Sequence, residues 1–136
     1  MIVTDTNLLA YLLIGGTGLV AAREVFARDP EWAAPLLWRS EFRSVLAQYL
    51  RKRAVSLSGA LALQAKAEQL LVGREYLVKS DRVLRLVSQS PCSAYDCEFV
   101  ALAKHLSVPF ITSDRQVLAA FPDVALSPSR YARRNS

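Results

Sequence analysis

The sequence has few cysteines, no long apolar run and no low-complexity segment, and each shortage excludes a class of protein. Its two cysteines, Cys92 and Cys97, have a spacing that fits neither a redox pair nor a common zinc site. We expect them to be small buried thiols in a reducing compartment. No apolar run approaches the roughly 20 residues that span a bilayer, and the N-terminus lacks the basic segment of a signal peptide. We therefore expect a cytoplasmic protein without a membrane segment.

The length and composition indicate one folded domain. The 136 residues suffice for a single sizeable core, and no repeat or linker divides them. An apolar fraction of 52% with 21% charged residues is typical of a globular chain rather than a disordered one. We therefore expect residues 1–136 to form a single domain.

The chain is basic overall, with 17 lysines and arginines, 12 acids and a net charge of +5. If four of the acids are occupied by metal, the 17 basic residues face only the eight others. A basic surface around an acidic pocket suits a polyanionic substrate. The same excess also keeps a protein soluble, and composition alone favours neither explanation.

Short apolar runs alternate with longer segments of helical periodicity. The runs predict strands at 2–4, 32–36, 76–78, 108–112 and 124–126. The periodic segments predict helices at 7–13, 19–28, 38–50, 58–72, 80–87, 93–105 and 115–121, with caps at Ser58, at Ser80-Asp81 and at Ser93. From Ser127 the chain reads as a polar, basic tail. Strands alternating with helices imply an α/β sandwich with a mainly parallel sheet.

Four acids interrupt or cap these apolar elements. Asp5 and Asp114 follow the first and fourth predicted strands, at the ends where parallel α/β sheets bind ligands. Asp96 lies in the first turn of a helix, and Glu41 lies on a helix face that should point inward. Each alone fits a turn, a cap or a surface ion pair. Together, four carboxylates converging on one crevice would form a site for a hard divalent cation, Mg²⁺ or Mn²⁺.

Four segments carry a resemblance to a known family: IVTDTN (2–7), WRSE (38–41), SAYD (93–96) and PFITSD (109–114). In order and spacing they resemble the PIN-domain ribonucleases, in particular the VapC toxins of bacterial and archaeal toxin–antitoxin pairs. The resemblance implies a three-layer α/β/α sandwich with a central, mainly parallel five-stranded sheet. It also implies an acidic quartet of Asp5, Glu41, Asp96 and Asp114. Some relatives carry a further acid beyond the last aspartate, where this chain has Arg115 and Gln116. The number of bound metal ions, one or two, therefore stays open.

The chemistry of such a site assigns roles to the quartet and its neighbours. Asp5, Asp96 and Asp114 would hold the metal, and Glu41 would act through water or orient the nucleophile. Four polar neighbours are candidates to hydrogen-bond a carboxylate or the scissile phosphate: Thr6, Asn7, Thr112 and Ser113. Roles as helix caps and strand-end hydroxyls explain these four equally well. Two arginines beside Glu41 are candidates to contact RNA phosphates: Arg39 and Arg43.

The resemblance implies a metal-dependent endoribonuclease that hydrolyses RNA phosphodiester bonds, forms a homodimer and is neutralised by a cognate VapB-type antitoxin. One alternative is a PIN-like RNA-binding module without catalysis, which the complete quartet argues against. The other is an aspartyl-phosphate phosphatase or receiver domain with a strand-end acid as nucleophile. The segment after Asp5 lacks the second aspartate of the phosphatase pattern, and no lysine follows the last strand as receivers require.

Two side chains of the helix that carries Asp96 are interpreted structurally. His105 stands near the end of that helix, away from the acids in sequence, so we expect a surface histidine rather than a general base. Tyr95 precedes Asp96 and has the ring needed to stack on a base, but we expect it to pack beside the helix cap.

Overall fold

The computed structural model describes residues 1–134, which form five strands and eight helices. The strands are β1 (Ile2–Thr4), β2 (Trp32–Pro35), β3 (Glu75–Tyr76), β4 (Phe110–Ile111) and β5 (Ala125–Leu126). The helices are α1 (Thr6–Leu13), α2 (Leu19–Arg28), α3 (Leu37–Arg51), α4 (Leu57–Leu70), α5 (Ser80–Ser88), α6 (Ala94–Leu106), α7 (Arg115–Ala120) and α8 (Pro128–Arg133). The predicted alternation of strands and helices is confirmed.

The five strands form one parallel sheet in the order β3-β2-β1-β4-β5. The chain runs outward from β1 through β2 to β3, then returns to the other side of β1 for β4 and β5. The strand order therefore reverses between β1 and β4, where Thr4 pairs with Ile111. Such a reversal opens a crevice beyond the carboxyl ends of the two strands. The predicted α/β sandwich with a mainly parallel five-stranded sheet is confirmed.

The core explains why the central strands contain almost no polar residues. Every residue of β1 and β2 is buried, as expected when helices cover both faces of a parallel sheet. Helix α3 contributes Trp38, Phe42 and Leu46 to this core at helical spacing. Helix α6 packs against β1, β2 and β4. Within residues 1–134, no helix has both the length and the apolar character of a membrane-spanning segment.

Two predicted helix caps are wrong by one or two residues. The cap of α4 is Ser56, whose hydroxyl accepts a hydrogen bond from the Gly59 amide at 3.1 Å, and Ser58 already lies inside the helix. Helix α5 begins at Ser80 itself, with Lys79 in the cap position and no side-chain cap. A serine caps a helix only when its backbone is extended, and the letters alone do not fix that conformation.

The C-terminal segment was predicted to be a polar tail, which is wrong because it forms α8. Ser127 caps this helix by accepting from the Arg130 amide, and Pro128 occupies its first turn. Tyr131 is buried, and its carbonyl oxygen accepts a hydrogen bond of 2.7 Å from the Arg28 guanidinium. Packing against α2 therefore stabilises a helix whose composition is mostly polar.

Candidate functional site

The four acids line one cavity at the carboxyl edge of the sheet. This cavity, the acidic cavity, has a volume of about 450 Å³ and contains Asp5, Glu41, Asp96 and Asp114. It opens beside the ends of β1 and β4, where the strand order reverses. Residues separated by 109 positions in the sequence thus share one site. The four polar candidates also line it: Thr6, Asn7, Thr112 and Ser113.

Asp5 is the most deeply enclosed of the four acids. It follows β1 directly and caps α1, since its Oδ1 accepts from the Leu8 amide at 2.7 Å. Its Oδ2 accepts from the Thr112 hydroxyl at 2.7 Å. Burial, with smaller contributions from the charges of Glu41 and Asp114, raises the pKa of Asp5 from 3.8 to about 6, although both hydrogen bonds lower it.

Thr112 links the two acids that follow β1 and β4. Its buried hydroxyl donates to Asp5 and accepts from the Asp114 amide at 3.1 Å. Asp114 in turn caps α7, with Oδ1 accepting from the amides of Gln116 and Val117 at 2.9 and 3.1 Å. One hydroxyl therefore fixes the carboxylate of the first acid and the backbone of the other.

Glu41 is half-buried on α3 and is held by a threonine in a similar way. Its Oε1 accepts from the Thr6 hydroxyl at 2.7 Å across 35 positions of sequence. Burial raises the pKa of Glu41, and the charge of Asp96 raises it further. The predicted inward orientation is therefore confirmed. Neither Arg39 nor Arg43 forms an ion pair with Glu41 in residues 1–134.

Asp96 lies in the first turn of α6, which begins at a serine cap as the sequence predicts. The Asp96 amide donates to the Ser93 hydroxyl at 3.1 Å. Burial raises the pKa of the Asp96 carboxyl, and the charge of Asp114 raises it further. The carboxylate is left available to the acidic cavity because the cap bond uses the backbone of Asp96 rather than its side chain.

The electrostatic couplings among the four acids form a closed ring of repulsions. Asp5 is raised in pKa by Glu41 and by Asp114. Asp96 completes the ring, because it raises the pKa of Glu41 and is itself raised by Asp114. Within residues 1–134, no lysine or arginine forms an ion pair with any of the four. A group of like charges without a cationic partner is a feature of sites that bind a cation.

A fifth acid, Glu98 on α6, lies beside this ring and was not predicted. Burial raises the pKa of Glu98, and the charge of Glu41 contributes. Other lining residues were also missed: Ser44, Val45, Gln48, Phe99 and Phe110. A signal existed for the first three, because positions 44, 45 and 48 follow Glu41 at the spacing of one helix face.

The donor set fits a hard divalent cation by its chemistry. All four groups are carboxylates, the ligands that Mg²⁺ and Mn²⁺ prefer. Within residues 1–134, no three acidic, histidine or cysteine side chains stand close enough to ligate one ion directly. Mg²⁺ usually keeps several of its waters, so the residues fit a cation that they bind partly through water. Direct ligation by all of Asp5, Asp96 and Asp114 stays a prediction.

The two arginines near Glu41 lie outside the acidic cavity. Arg39 donates from Nε and Nη2 to the two carboxylate oxygens of Glu75 at 2.6 and 2.7 Å, and from Nη1 to Glu68 at 3.1 Å. Trp38 donates to the same Glu75 at 2.8 Å. The exposed Arg43 donates to the Arg39 carbonyl oxygen at 3.0 Å. Arg39 therefore joins α3 to β3 and α4, and contact of either arginine with RNA stays a prediction.

The remaining predicted side chains divide into correct and incorrect expectations. His105 is exposed near the carboxyl end of α6 and does not line the acidic cavity. Cys92 and Cys97 are buried free thiols, as expected. The packing role expected for Tyr95 is wrong, because its ring is among the most exposed apolar side chains of the described residues. Ser93 and Ala94, its neighbours at the start of α6, are exposed as well.

Comparisons with known proteins agree with this architecture. Residues 2–125 match the family model described as PIN domain. No curated protein sequence matches the chain. Among solved structures, the chain is similar to a toxin–antitoxin complex from Klebsiella pneumoniae, with a TM-score of 0.71, 17% identity, and coverage of 94% of this chain and 98% of that one.

Two further solved structures are similar over almost their whole length. PAE2754 from Pyrobaculum aerophilum has a TM-score of 0.75 and 19% identity, with 98% of this chain and 94% of that chain covered. FitAcB from Neisseria gonorrhoeae has a TM-score of 0.75 and 17% identity, with 95% and 99% covered. At such low identity these likenesses establish the fold.

Proposed function

Because the chain belongs to the PIN-domain family, whose members are typically nucleases, we propose that it is a metal-dependent endoribonuclease that hydrolyses RNA phosphodiester bonds. One observation carries the proposal: four carboxylates that repel one another line a single cavity where the strand order reverses. The net charge of +5 is compatible with a polyanionic substrate. The family and the geometry support the same class of chemistry independently.

Asp5, Asp96 and Asp114 would hold Mg²⁺ or Mn²⁺, which their carboxylate chemistry suits. When bound there, such an ion would supply charge neutralisation at the phosphodiester and a lower pKa for an attacking water. Thr112 keeps the carboxylate of Asp5 in one orientation. The chain's own contribution is therefore to hold oxygen ligands in place against their mutual repulsion.

Glu41 orients the nucleophilic water. Its Oε1 is occupied by the Thr6 hydroxyl, which leaves Oε2 to accept a hydrogen bond from that water. Its raised pKa makes it a better proton acceptor than an ordinary glutamate. Asn7 lines the same cavity at the start of α1 and donates its side-chain amide to a phosphate oxygen.

Purified protein incubated with single-stranded and structured RNAs tests this function. We expect cuts with 5′-phosphate ends when Mg²⁺ or Mn²⁺ is present and none with chelator. Asp5→Asn should abolish the cuts, and Asp123→Asn, an exposed surface acid outside the acidic cavity, should leave them unchanged. Cuts that persist in chelator would contradict metal dependence. Tight RNA binding without any cut would favour the non-catalytic module instead.

The proposed enzyme is a toxin that a cognate VapB-type antitoxin neutralises. Support comes from the similar fold of the Klebsiella protein, which was solved as a toxin–antitoxin complex, and from the VapC-like motifs of this sequence. Induced expression in a bacterial host should arrest growth. Co-expression with the product of a short neighbouring reading frame should restore growth, and Asp5→Asn should cause no arrest. An arrest that Asp5→Asn also causes would disconnect toxicity from the acidic cavity.

An aspartyl-phosphate enzyme is less well supported by the geometry. Its nucleophilic oxygen must reach a phosphorus atom, yet both oxygens of Asp5 accept short hydrogen bonds, from Leu8 and Thr112. Asp114 Oδ1 is likewise occupied by two amides of α7. Trapping experiments with beryllofluoride or acyl phosphates should therefore leave the protein unmodified.

A further inference from the structure

Part of the acidic cavity is lined by side chains that the proposed chemistry does not use. Beside the acids and their polar neighbours, the lining includes Val45 and Gln48 of α3, Phe99 of α6 and Phe110 of β4. A Mg²⁺ ion with six waters fills roughly 180 Å³, well under the cavity volume of about 450 Å³. The cavity therefore has room for a part of the substrate other than its phosphate.

An apolar wall forms one part of this lining. The rings of Phe99 and Phe110 are buried and stack on each other, with centroids 5.6 Å apart and an angle of 22° between their planes. Val45 is half-buried on α3. A cation site needs no apolar lining, whereas a nucleobase has flat faces that pack on aromatic and other apolar side chains. The wall therefore suits a base of the RNA.

Gln48 lies at the mouth of the cavity, two helical turns beyond Glu41. Glu41, Val45 and Gln48 share one face of α3, because positions 41, 45 and 48 recur at helical spacing. The rise of 1.5 Å per residue separates Gln48 from Glu41 by roughly 10 Å along the helix axis. Glu41 is half-buried and Gln48 is exposed. Val45 thus lies between the acid proposed to orient the nucleophile and the amide of Gln48.

The side-chain amide of Gln48 is available to a ligand. It forms no hydrogen bond with any of residues 1–134. An amide holds one acceptor and one donor group side by side in a fixed plane. This pair matches the N6 donor and N7 acceptor of adenine. Ser44 lines the cavity as well, but its hydroxyl rotates to donate or accept and so does not distinguish one base from another.

We propose that Gln48 recognises the base of the nucleotide next to the scissile phosphate, with a preference for adenine, while that base packs on Val45. This inference rests on the proposed cleavage of RNA at the acidic cavity. Contacts to phosphate position a nucleic acid but carry no sequence information, whereas hydrogen bonds to a base edge do. Gln48 thus adds sequence selectivity to a site whose acids act on any phosphodiester. Because Gln48 is exposed, the preference for adenine is about tenfold.

Sequencing the ends of fragments cut from an RNA with a randomised segment tests this role. We expect wild-type protein to enrich adenine about tenfold at one position beside the cut. Gln48→Leu has a similar size but no hydrogen-bonding group, so cleavage at adenine sites should fall to the level of the other sites. Gln48→Glu has only acceptors, so its preference should pass to cytosine, whose N4 amino group donates.

The same two changes at Gln69 are the matched controls. Gln69 is an exposed glutamine on α4 that lies outside the acidic cavity. Gln69→Leu and Gln69→Glu should therefore keep the wild-type base preference, and the second also controls for the added charge. Circular dichroism checks that all four variants fold. Three results would overturn the role of Gln48: wild-type cuts without a base preference, a preference that Gln48→Leu keeps, and a preference that Gln69→Leu also removes.

A binding experiment separates failure of this inference from failure of the proposed function. If the wild-type chain cuts no RNA, the proposed function is contradicted, and fluorescence anisotropy then decides the role of Gln48. Four single-stranded RNAs, each made of one base, are titrated in Mn²⁺. Wild-type protein should bind the adenine RNA about tenfold more tightly than the others, and Gln48→Leu should remove that difference. Equal wild-type affinities, or an adenine preference that Gln48→Leu retains, would show that Gln48 does not recognise the base.

Discussion

Two groups of charged residues meet at helix α3. In one, opposite charges pair with each other, and in the other, like charges repel. Arg39 lies among Glu75, Glu68 and the Trp38 ring nitrogen, and the Arg39 hydrogen bonds lower the pKa of Glu75. Glu41 lies only two positions further along, yet it faces other acids, and burial raises its pKa. In the first group, Arg39 forms ion pairs with Glu68 and Glu75. In the second group, the acids form no ion pair among residues 1–134. Clusters of buried acids with raised pKa values are characteristic of functional sites.

The contrast also separates stability from function. Charges that satisfy each other hold α3 to β3 and α4, so removing one should destabilise the protein. Charges that repel each other oppose folding, so removing one should stabilise the protein while it destroys activity. The following predictions test this opposition, starting from the largest expected effect.

Asp5→Asn should have the largest effect. It should lower the cleavage rate and raise the free energy of unfolding. The variant loses an oxygen ligand and the negative charge that attracts the cation, so cleavage should fall by about 10³-fold or more. At pH 8 in chelator, the free energy of unfolding should rise by on the order of 1 kcal/mol, because a buried charge and two repulsions disappear. RNA cleavage rates and urea unfolding measure the two effects. A variant that is inactive and also less stable in chelator would mean that the hydrogen bond from Thr112 to the Asp5 carboxylate outweighs the repulsion.

Stability should depend on pH and on divalent cations together. The pKa of Asp5 is about 6 in the folded chain against 3.8 as its ordinary value, so between about pH 4 and pH 6 the folded state binds more protons than the unfolded state. Stability should therefore fall by a few kcal/mol at most as pH rises through this window, then level off. The raised pKa values of Glu41 and Asp96 act in the same direction.

A cation offsets this loss only where the acids are ionised. The rise in Tm on adding Mg²⁺ or Mn²⁺ should thus be clearly larger at pH 8 than at pH 5. Asp5→Asn should flatten both the pH dependence and the cation effect. Equal increases in Tm at the two pH values, or none at either, would argue against a preformed cation site.

Glu75→Gln should show the reverse behaviour to Asp5→Asn. The carboxylate oxygens of Glu75 accept two hydrogen bonds from Arg39 and one from Trp38. The amide of glutamine keeps the shape of the side chain but removes the negative charge and replaces one acceptor oxygen with an NH₂ group. We expect the free energy of unfolding to fall by about 1–2 kcal/mol, with partial exposure of Arg39 limiting the loss. The cleavage rate should change little, because Thr6 still holds Glu41.

Glu68→Gln is the matched control for that change. Glu68 accepts only one contact from Arg39, at 3.1 Å, and its side chain is more exposed than that of Glu75. The free energy of unfolding of the Glu68→Gln variant should fall by less than about 1 kcal/mol. A Glu75→Gln variant that lost cleavage while keeping its stability would show that the satisfied group also positions the site.

The sequence predicts the alternation of strands and helices well because that signal is local. Buried strands such as β1 and β2 are continuous apolar runs, and α3 shows its core face at regular spacing. The ends of elements are predicted less well. Strands β3 and β4 each have two residues, and the ladder that limits them depends on neighbours distant in sequence. Helix α8 was missed because burial of Tyr131 against α2, rather than its own composition, stabilises it.

The site shows the same division between local and long-range signals. The quartet is visible in the sequence because each acid stands at an element boundary or on a helix face. The bonds that orient the acids are not visible, since Thr6 and Glu41 are 35 positions apart and Thr112 and Asp5 are 107 apart. The partners of Arg39 lie 29 and 36 positions away, so its hydrogen bonds with Glu68 and Glu75 are likewise not visible in the sequence.

Thr112→Val should have the smallest effect of the series and the most specific one. It removes the hydroxyl that donates to Asp5 Oδ2 and accepts from the Asp114 amide, while the buried volume stays nearly the same. Loss of a residue that orients a metal ligand costs about 10- to 100-fold in activity or metal affinity. We expect the lower end, about tenfold, since the Leu8 amide still holds Asp5 Oδ1.

Thr4→Val provides a control of the same size and burial. The Thr4 hydroxyl donates to the backbone oxygen of Asp5 at 2.8 Å and does not contact the carboxylate. Both variants lose one buried hydroxyl, so both should lose similar stability. Only Thr112→Val should weaken Mn²⁺ binding, which titration calorimetry measures. It should also raise the apparent pKa of cleavage, because the hydrogen bond from Thr112 lowers the pKa of Asp5. Equal losses of Mn²⁺ affinity in the two variants would mean that packing at the end of the sheet, and not the orientation of Asp5, controls the site.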